Sequence, residues 1–336
     1  MQNRNHELLK GGRIKRLSLQ VAWRVGLCVG LAGAAIFAVQ SIRGMRETPE
    51  PFVQDLQGQP GQGLQTDPPA ESGNRLRFAV ATMVGAEETY STYRQFVRRI
   101  SKDIGKEEAF IIRPSYEAVR RALTQREVDA AFVCTGTYLS ALDSKSIKLL
   151  VQPEFGEKKL YRSLLLVPAD SRFQTWEDLQ HKVIAFTDRE SFTGCLLPSF
   201  VLLKKGHKPT DYFKKIIYTG SHDRSITAVS KNIVDAAPVM SLVWLSTLER
   251  QPSLEKQVRI IWQSDVFGPP AIVVPSDLDS SLEKALRKAL LSLHEDEEGR
   301  RILAAIGINR FVLPKPESYI TAINLYKRYQ NLLSQP

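Results

Sequence analysis

From Leu76 onward, short apolar segments of the kind found in buried strands alternate with amphipathic segments of helical period, and this alternation occurs twice. The segments at 115–117 and 128–131 match those at 221–223 and 234–237 with one constant offset of 106 residues. Such alternation is typical of a parallel sheet covered by helices. The pattern therefore predicts a duplicated α/β architecture, the alternative being two generic helix-to-strand units.

Two further apolar strands, at 163–167 and 271–274, lie between and after the repeated segments. We expect them to be crossovers between two lobes, because connections in α/β folds are short and run directly between neighbouring elements. Residues 75–166 and 270–336 then form lobe 1, and residues 167–269 form lobe 2 as an insertion. The helical segments after 280 are expected to pack back onto lobe 1.

The first 40 residues combine a basic flank with an apolar run from Val25 to Val39. This run is short for a spanning helix and long for the core of a signal peptide. Residues 1–40 are therefore an uncleaved signal anchor, which forms an N-terminal membrane helix, or a cleaved signal peptide. Either alternative exports the rest of the chain, and the anchor, which we favour, would hold it at the periplasmic side of a bacterial inner membrane.

Residues 41–74 are rich in Pro, Gly and Gln and lack apolar periodicity, so they are predicted to be a disordered linker. The net charge of +10 lies mostly in the leader, and the rest of the chain has no nucleic-acid-binding motif, so a nucleic-acid-binding protein is not expected. Cys134 and Cys195 are too few for a disulfide framework, and we expect both to be free thiols. The five His are scattered without ligand spacing, so no metal or cofactor is expected.

A polar loop with Ser191, Thr193 and Gly194 follows the predicted strand at 183–186 and enters a helix. Open α/β sheets bind ligands at the carboxyl ends of their strands, and the free amides of a helix start favour an anion. The hydroxyls of Ser191 and Thr193 can supply further donors. The alternative is that one of them only caps the helix.

Two more loops lie at strand ends of the same kind. Ser221 and His222 open a helix, where the His222 ring N–H can donate to an oxyanion unless it is an exposed bystander. Thr135 and Tyr138 follow the strand at 130–133 in lobe 1, and we expect them to face the cleft from the opposite side. For Tyr138 the alternative is a core position.

These loops belong to a series of motifs along the chain. The series contains a Val-Asp-Ala-Ala strand, a Tyr-x-Ser segment, a Ser-Phe-Thr-Gly loop and a Gly-Ser-His-Asp motif, in that order. The stretch from about 75 to 329 resembles the phosphate-, phosphite- and phosphonate-binding subunits of ABC importers. The resemblance implies a type II periplasmic-binding-protein-like α/β fold, with two lobes that each have a central mixed sheet flanked by helices. It also implies an oxyanion held by Ser191, Thr193, Tyr138 and His222.

Two departures from the family pattern concern the ligand. Phe192 stands where the family usually has a small hydroxyl residue, which removes a donor and adds bulk. The segments at 239–242 and 264–270 offer only Asp265, whereas family members that accept aminoalkyl phosphonates have carboxylates there. An amine-bearing ligand is therefore not expected, and a smaller or more apolar anion, or a different solute, fits better.

The sequence thus predicts a monomeric extracytoplasmic solute-binding protein without enzymatic activity. It is expected to capture a small phosphorus oxyanion (phosphonate, phosphite or phosphate) by hinged closure and to pass it to an ABC permease. One alternative keeps the fold but makes it a membrane-anchored sensor of a different small ligand, with a membrane signalling partner. The other is an enzyme, for which Cys195 and His222 are the only candidate nucleophile and base.

Overall fold

The computed structural model describes residues 52–55, 74–156 and 160–334. The described part up to residue 156 alternates strands with helices, as the apolar pattern predicts. Its elements are β1 (Phe52–Asp55), β2 (Arg75–Val80), α1 (Ala86–Asp103), β3 (Glu107–Ile112), α2 (Tyr116–Thr124), β4 (Ala130–Val133), α3 (Thr135–Ser140) and β5 (Ile147–Glu154). Most of β2 and all of β4 are buried, which is typical of central strands with helices on both faces.

The described part from 160 to 334 repeats the alternation and ends in helices. Its first elements are β6 (Ser163–Pro168), β7 (Val183–Phe186), a wide helical turn (Phe192–Leu196), α4 (Leu197–Lys204), α5 (Pro209–Tyr212), β8 (Lys215–Tyr218), α6 (His222–Ser230), β9 (Ala237–Met240), α7 (Ser241–Arg250) and β10 (Val258–Gln263). Single 3₁₀ turns cover Glu177–Leu179 and Pro252–Lys256. The remaining elements are β11 (Ala271–Pro275), α8 (Ser280–Ser292), α9 (Glu297–Ala305), β12 (Arg310–Val312) and α10 (Pro316–Leu333).

Lobe 1 is built on a six-stranded sheet of order β12-β5-β11-β4-β2-β3. Strand β2 pairs in parallel with β3 and β4, whereas β11 pairs antiparallel with β4 and β5. Lobe 2 contains the order β10-β6-β9, which is antiparallel, and β1-β8-β7, which is parallel. A parallel bridge between Ile184 and Ala236 joins these two sets. Each lobe therefore has a mixed sheet, as expected.

Strand β6 differs from its predicted assignment. Residues 163–166 were placed in lobe 1, but β6 pairs with β9 and β10 and so belongs to lobe 2. Strand β11 pairs with β4 and β5 in lobe 1. Both strands are fully buried, and burial predicts a central strand without indicating which sheet it joins. The chain therefore crosses between the lobes ahead of β6 and again between β10 and β11.

Strand β1 lies within residues 41–74, for which the sequence predicted a disordered linker. Its four residues pair in parallel with β8, so that Phe52 lies beside Lys215. The prediction of disorder is therefore wrong for these four residues, because backbone pairing with the outer edge of a sheet needs no apolar periodicity. The other linker residues from 41 to 73, and the expected signal anchor or signal peptide at 1–40, lie outside the described residues. Of the helices that the structure describes, none has both the length and the apolar character needed to cross a membrane.

The predicted repeat is present as structure. Helices α2 and α6 have nine residues each and begin 106 residues apart. Asp129 accepts a hydrogen bond from the backbone N–H of Arg77 at 2.9 Å, and Asp235 accepts the equivalent bond from Val183 at 2.8 Å. These contacts hold the starts of two neighbouring parallel strands together in each lobe. Tyr116 and His222 therefore occupy equivalent positions.

Candidate ligand-binding site

The loop after β7 forms one wall of the cleft between the lobes. Ser191 caps the helical turn that follows, since its Oγ accepts a hydrogen bond from the Gly194 backbone N–H at 3.1 Å. The Thr193 hydroxyl is fully buried and makes no hydrogen bond of normal geometry, while the Thr193 carbonyl accepts a 2.6 Å bond from the Ser163 hydroxyl. Ser191 thus takes the capping role that the sequence left open, and the Thr193 hydroxyl lies near the Tyr161 hydroxyl.

Two glycines allow the close approach of chain segments around this loop. A Cβ at Gly194 would lie 2.4 Å from Thr187 Oγ1 and 2.8 Å from Ser191 Oγ. A Cβ at Gly136, in lobe 1, would lie 2.0 Å from the Glu190 carbonyl oxygen and 2.8 Å from the Phe192 nitrogen. Any side chain at either position would separate these segments. The start of α3 and the loop after β7 therefore pack backbone against backbone across the cleft.

His222 is the first residue of α6 and is fully buried. The Met240 backbone N–H donates to His222 Nδ1 at 3.1 Å, and Thr187 Oγ1 lies 3.0 Å from the same nitrogen. Because a backbone N–H only donates, Nδ1 must be an acceptor, and the ring proton of the neutral imidazole is on Nε2. That Nε2 lies 3.4 Å from Ser191 Oγ. The ring therefore presents a fixed N–H donor beside the Ser191 loop.

Burial lowers the pKa of His222 to about 3. The ring is consequently neutral near pH 7, and its Nε2–H acts as a dipole rather than a charge. A neutral donor in a dry site still stabilises an anion, because the low local dielectric strengthens the interaction. This arrangement suits oxyanion recognition.

Several hydroxyls on the segments where the two lobes meet are buried without a hydrogen-bond partner among the described residues. The groups concerned belong to Tyr116, Thr137, Thr193 and Ser221. A buried hydroxyl left without an acceptor destabilises a protein by about 1–3 kcal/mol, so native proteins rarely keep several together. Tyr116 and Thr137 belong to α2 and α3 of lobe 1, and Thr193 and Ser221 to the segments after β7 and β8 of lobe 2. A ligand with several acceptor oxygens would satisfy them.

Two tyrosines add hydroxyls to the same region. The Tyr116 ring has Cys134, Asp188, Tyr161 and Asp223 among its neighbours, and burial raises its pKa well above the usual value. The Tyr161 hydroxyl lies 3.9 Å from Cys134 Sγ and close to Thr193, and burial raises its pKa in the same way. Both phenols therefore stay protonated and can donate.

Polar contacts across the cleft hold the lobes together. The Tyr116 backbone N–H donates to Asp188 Oδ2 at 3.1 Å, and the His222 backbone N–H donates to the Met83 carbonyl at 3.0 Å. Arg120 Nε pairs with Glu190 Oε1 at 2.8 Å. Burial raises the pKa of Glu190 to about 7, although Arg120 opposes the shift. The structure is therefore a closed form of the two-lobed arrangement.

A family model described as "ABC transporter, phosphonate, periplasmic substrate-binding protein" matches residues 78–319. The chain belongs to this family. The resemblance inferred from the loop motifs is thereby confirmed.

Relatives within the phosphonate-binding family are similar over most of their length. The phosphonates-binding periplasmic protein of Escherichia coli is 22% identical over 244 residues, which cover 70% of this chain and 71% of that protein. A probable ABC transporter phosphite-binding protein of Prochlorococcus marinus is 21% identical over 238 residues, covering 68% of this chain and 80% of that protein.

Solved structures of the phosphonate-binding family show the same fold. A binding component of an ABC phosphonate transporter from Pseudomonas aeruginosa superposes with a TM-score of 0.72 at 20% identity, covering 77% of this chain and 87% of that one. The Prochlorococcus marinus protein, solved with methylphosphonate, gives 0.69 at 18% identity, with 76% and 98% covered. The expected periplasmic-binding-protein-like α/β fold is confirmed.

The predicted site residues fall into two groups. Ser191, Thr193, Gly194, Ser221 and His222 lie together as described. Thr135 is buried beside Tyr161, but its hydroxyl donates to the Gly268 carbonyl at 2.8 Å and so anchors the second interlobe crossing. The half-buried ring of Tyr138 packs edge-to-face against Tyr319 of α10, with 5.8 Å between centroids. This contact agrees with the core alternative for Tyr138, and its role in binding stays a prediction.

Tyr116 was missed, although the sequence contained a signal for it. It stands 106 residues before His222 and follows Ser115 as His222 follows Ser221. The same repeat that pointed to His222 thus pointed to Tyr116.

Phe192 lies in the hydrophobic core beside the Ser191 loop. Its ring is fully buried, 4.9 Å from Phe267 and 6.5 Å from Tyr161 between centroids. It packs as a core residue between the loop and the interlobe crossing. The Phe192 side chain therefore offers no hydrogen-bond donor, as the sequence predicts.

Cys134 and Cys195 are both buried free thiols, as predicted. Burial raises the pKa of Cys195 to about 12, whereas a catalytic thiol needs a lowered pKa to form thiolate. His222, with its pKa lowered to about 3, is equally unsuited to accept a proton near pH 7. The pKa shifts of these two groups do not suit the nucleophile and base that an enzyme would require. This agrees with a family of transport components.

Proposed function

We propose that this protein captures a phosphorus oxyanion between its lobes and passes it to the permease of an ABC importer. The observation that supports this most directly is the set of buried hydroxyls, without partners among the described residues, on the segments of both lobes that contact each other. A phosphonate or phosphate group has three or more acceptor oxygens and would satisfy several of these donors at once. The named relatives from Escherichia coli and Prochlorococcus marinus support the same ligand class.

Closure of the lobes gives a mechanism for capture. The ligand first meets the Ser191–Thr193 side of lobe 2, and closure then brings Tyr116 and Thr137 from lobe 1. Each hydrogen bond to a charged group contributes about 1.5–3 kcal/mol, so three or four are enough for micromolar affinity after the ordering cost. The contacts Tyr116–Asp188 and His222–Met83 add polar bonds that exist only when the lobes meet.

The proposal extends to location and assembly. Family membership supports a periplasmic site of action, and the basic and apolar leader at 1–40 supports attachment to the inner membrane by an uncleaved anchor. We propose a monomer that contacts an ABC permease through the outer surfaces of both lobes. Fractionation of cells that produce the full chain would place it in the inner membrane if the anchor is kept, and in the soluble periplasm if it is cleaved.

Isothermal titration calorimetry of the full chain tests the proposed ligand. We expect at least one of phosphite, methylphosphonate and phosphate to bind with micromolar or tighter affinity, and sulfate to bind much more weakly. Thr193→Val, which removes one unpartnered hydroxyl at nearly constant volume, should weaken that binding about tenfold. Silence of all three ligands against a folded protein would overturn the proposal.

A further inference from the structure

Lobe 2 has a basic surface at the end that lies opposite the cleft. The parallel strands β1, β8 and β7 start at this end, where Lys215 lies between Phe52 and Val183. The loops with Ser191 and Ser221 follow the other ends of β7 and β8. The basic surface is therefore separate from the residues that are proposed to hold the ligand.

Helices α4 and α6 run back from the cleft and bring further residues to this end. The two helices finish at Lys204 and Ser230. The Lys214 backbone N–H donates to the Lys182 carbonyl at 3.0 Å and so joins the turn before β8 to the start of β7. We call this surface the basic end of lobe 2, and its lysines, all exposed except the half-buried first, are Lys182, Lys204, Lys205, Lys208, Lys214 and Lys231.

Acidic residues do not neutralise the basic end. Glu177 pairs with Lys205, and Asp211 is the single acidic residue in the stretch from α4 to β8. Asp178 and Asp235 also lie near this end, where each accepts hydrogen bonds from backbone N–H groups. Within the described part of the chain, four of the lysines form no ion pair: Lys204, Lys208, Lys214 and Lys231.

The corresponding end of lobe 1 is neutralised by ion pairs. Arg75 at the start of β2 pairs with Glu107 at the start of β3, at 3.1 Å. Arg77 pairs with Asp129 at 2.6 Å. Because the two lobes repeat one architecture, that architecture does not by itself require an unpaired basic end.

Stabilisation of helices explains only a part of this charge. Lys204 and Lys231 lie at the C-terminal ends of α4 and α6, where a cation is favourable. Lys208 precedes the N-terminal end of α5, where a cation is unfavourable, and Lys214 lies between α5 and β8. These two lysines therefore indicate a partner outside the lobe.

An exposed apolar residue stands among the lysines. Ile233 is 61% exposed and follows Lys231 in the turn between α6 and β9. The parallel bridge between Ile184 and Ala236 places this turn at the same end of the sheet as the start of β7. Lysines around an apolar side chain combine the two interactions by which protein surfaces bind anionic membranes.

The chain also enters lobe 2 at the basic end. Strand β1 starts at Phe52, beside Lys215, and residues 41–51 join it to the proposed anchor at 1–40. Fully extended, the joining residues span at most about 40 Å. An uncleaved anchor would therefore keep the start of β1 within this distance of the membrane surface.

We propose that the basic end of lobe 2 rests on the inner membrane and binds the anionic headgroups of its lipids, with the Ile233 side chain inserted between them. This inference rests on the proposed location of the protein. Each lysine beside an anionic membrane strengthens attachment about fivefold, and salt screens the attraction. The contact directs the ligand-binding loops of lobe 2 away from the bilayer.

A fluorescent label at position 233 tests the contact. The full chain receives Cys28→Ser and Ile233→Cys, so that the new thiol is labelled while Cys134 and Cys195 stay buried. The protein is placed in nanodiscs of phosphatidylcholine, with or without phosphatidylglycerol. We expect an environment-sensitive fluorophore to emit at least about threefold more strongly with the anionic lipid, and high salt to abolish the increase. If the cell removes the leader, vesicles of the same two compositions replace the nanodiscs.

Charge reversal tests the lysines themselves. The triple variant Lys208→Glu, Lys214→Glu and Lys231→Glu should abolish the increase at position 233. The matched triple variant reverses the same amount of charge at exposed lobe 1 positions and should retain the increase: Lys102→Glu, Lys288→Glu and Lys327→Glu.

A second label position controls for nonspecific adsorption. Leu313 is 56% exposed in lobe 1, and a label introduced by Leu313→Cys should not respond to the anionic lipid. Equal emission at position 233 in both lipids, which is expected if the basic end instead meets an acidic protein, would overturn the inference. An increase that survives reversal of the three lobe 2 lysines would overturn it as well.

Ligand capture is tested independently of the membrane contact. The lobe 2 charge-reversal variant should bind methylphosphonate with the affinity of the unmodified protein, because its lysines lie at the opposite end from the ligand-binding loops. A label that does not respond would therefore leave oxyanion capture intact. Failure of every oxyanion to bind would overturn capture and leave the membrane contact intact.

Discussion

Helices α2 and α6 begin at equivalent points of the two lobes, and each uses its first backbone N–H to reach the opposite lobe. In lobe 1 the Tyr116 N–H bonds to the Asp188 carboxylate, and in lobe 2 the His222 N–H bonds to the Met83 carbonyl. The starts of both helices therefore help to close the cleft. This contact between the lobes is repeated in each half of the duplicated fold.

The side chains at these two points are held differently. Ser115 caps α2 through a 3.1 Å bond from the Ala118 N–H, whereas Ser221 makes no capping bond and leaves its hydroxyl unpartnered. The His222 ring is fixed by Met240 and Thr187, but the Tyr116 hydroxyl has no partner among the described residues. Lobe 2 thus presents a preorganised donor set, and lobe 1 adds its donor on closure.

The largest effect should come from removing the fixed ring. We expect His222→Ala to weaken oxyanion binding at least about 100-fold, because it deletes the Nε2–H donor and leaves the Met240 N–H buried without its acceptor. His207→Ala, at an exposed ring, should leave binding unchanged. Calorimetry on both variants measures the difference, and equal losses would contradict a preorganised lobe 2.

The two aspartates that fix the repeated strands should differ in their effect on stability. Asp129 also pairs with Arg77, at 2.6 Å from its Nη2, whereas Asp235 is shown bonded to the Val183 backbone. Asp129→Asn should lower the free energy of unfolding by about 2 kcal/mol and Asp235→Asn by about 1 kcal/mol. Urea denaturation followed by circular dichroism measures both, and a larger loss from Asp235→Asn would reverse the expected order.

Removal of the Tyr116 hydroxyl sharpens the contrast between binding and stability. Tyr116→Phe should weaken oxyanion binding about tenfold without lowering the melting temperature of the ligand-free protein, because the hydroxyl has no partner to lose. Tyr138→Phe is the matched control and should change binding less than about twofold, since that ring packs against Tyr319. A larger loss from Tyr138→Phe would reinstate the site predicted from sequence.

The pH dependence of stability should also distinguish the His222 position of lobe 2 from the Tyr116 position of lobe 1. Burial lowers the folded-state pKa of His222 to about 3, below its unfolded value near 6.5, so the stabilisation from the neutral ring is present above pH 6.5. It is lost progressively as pH falls from about 6.5 towards 3, by about 1 kcal/mol between pH 6 and 5. The His222→Gln variant should lose less stability over this interval in thermal scans, and an equal loss would show that other groups dominate.

The repeat explains how far the sequence could predict this molecule. Strand and helix alternation gave the two lobes, and the rule that ligands bind at strand ends brought Ser191, Thr193, Ser221 and His222 together. The same rule does not decide the direction of Tyr138, because successive helical residues point about 100° apart and its contact with the distant Tyr319 is not visible in the local sequence. Likewise, β6 pairs with β9 and β10, and the local sequence of β6 does not specify these partners.

The pairing of β1 with β8 bears on how shortened versions of this chain would behave. A fragment that starts at residue 75 lacks β1 and would leave the outer backbone edge of β8 bare. Bare strand edges recruit strands from other molecules, which promotes self-association. Crystallisation or labelling work would therefore do better with a boundary at or before residue 51.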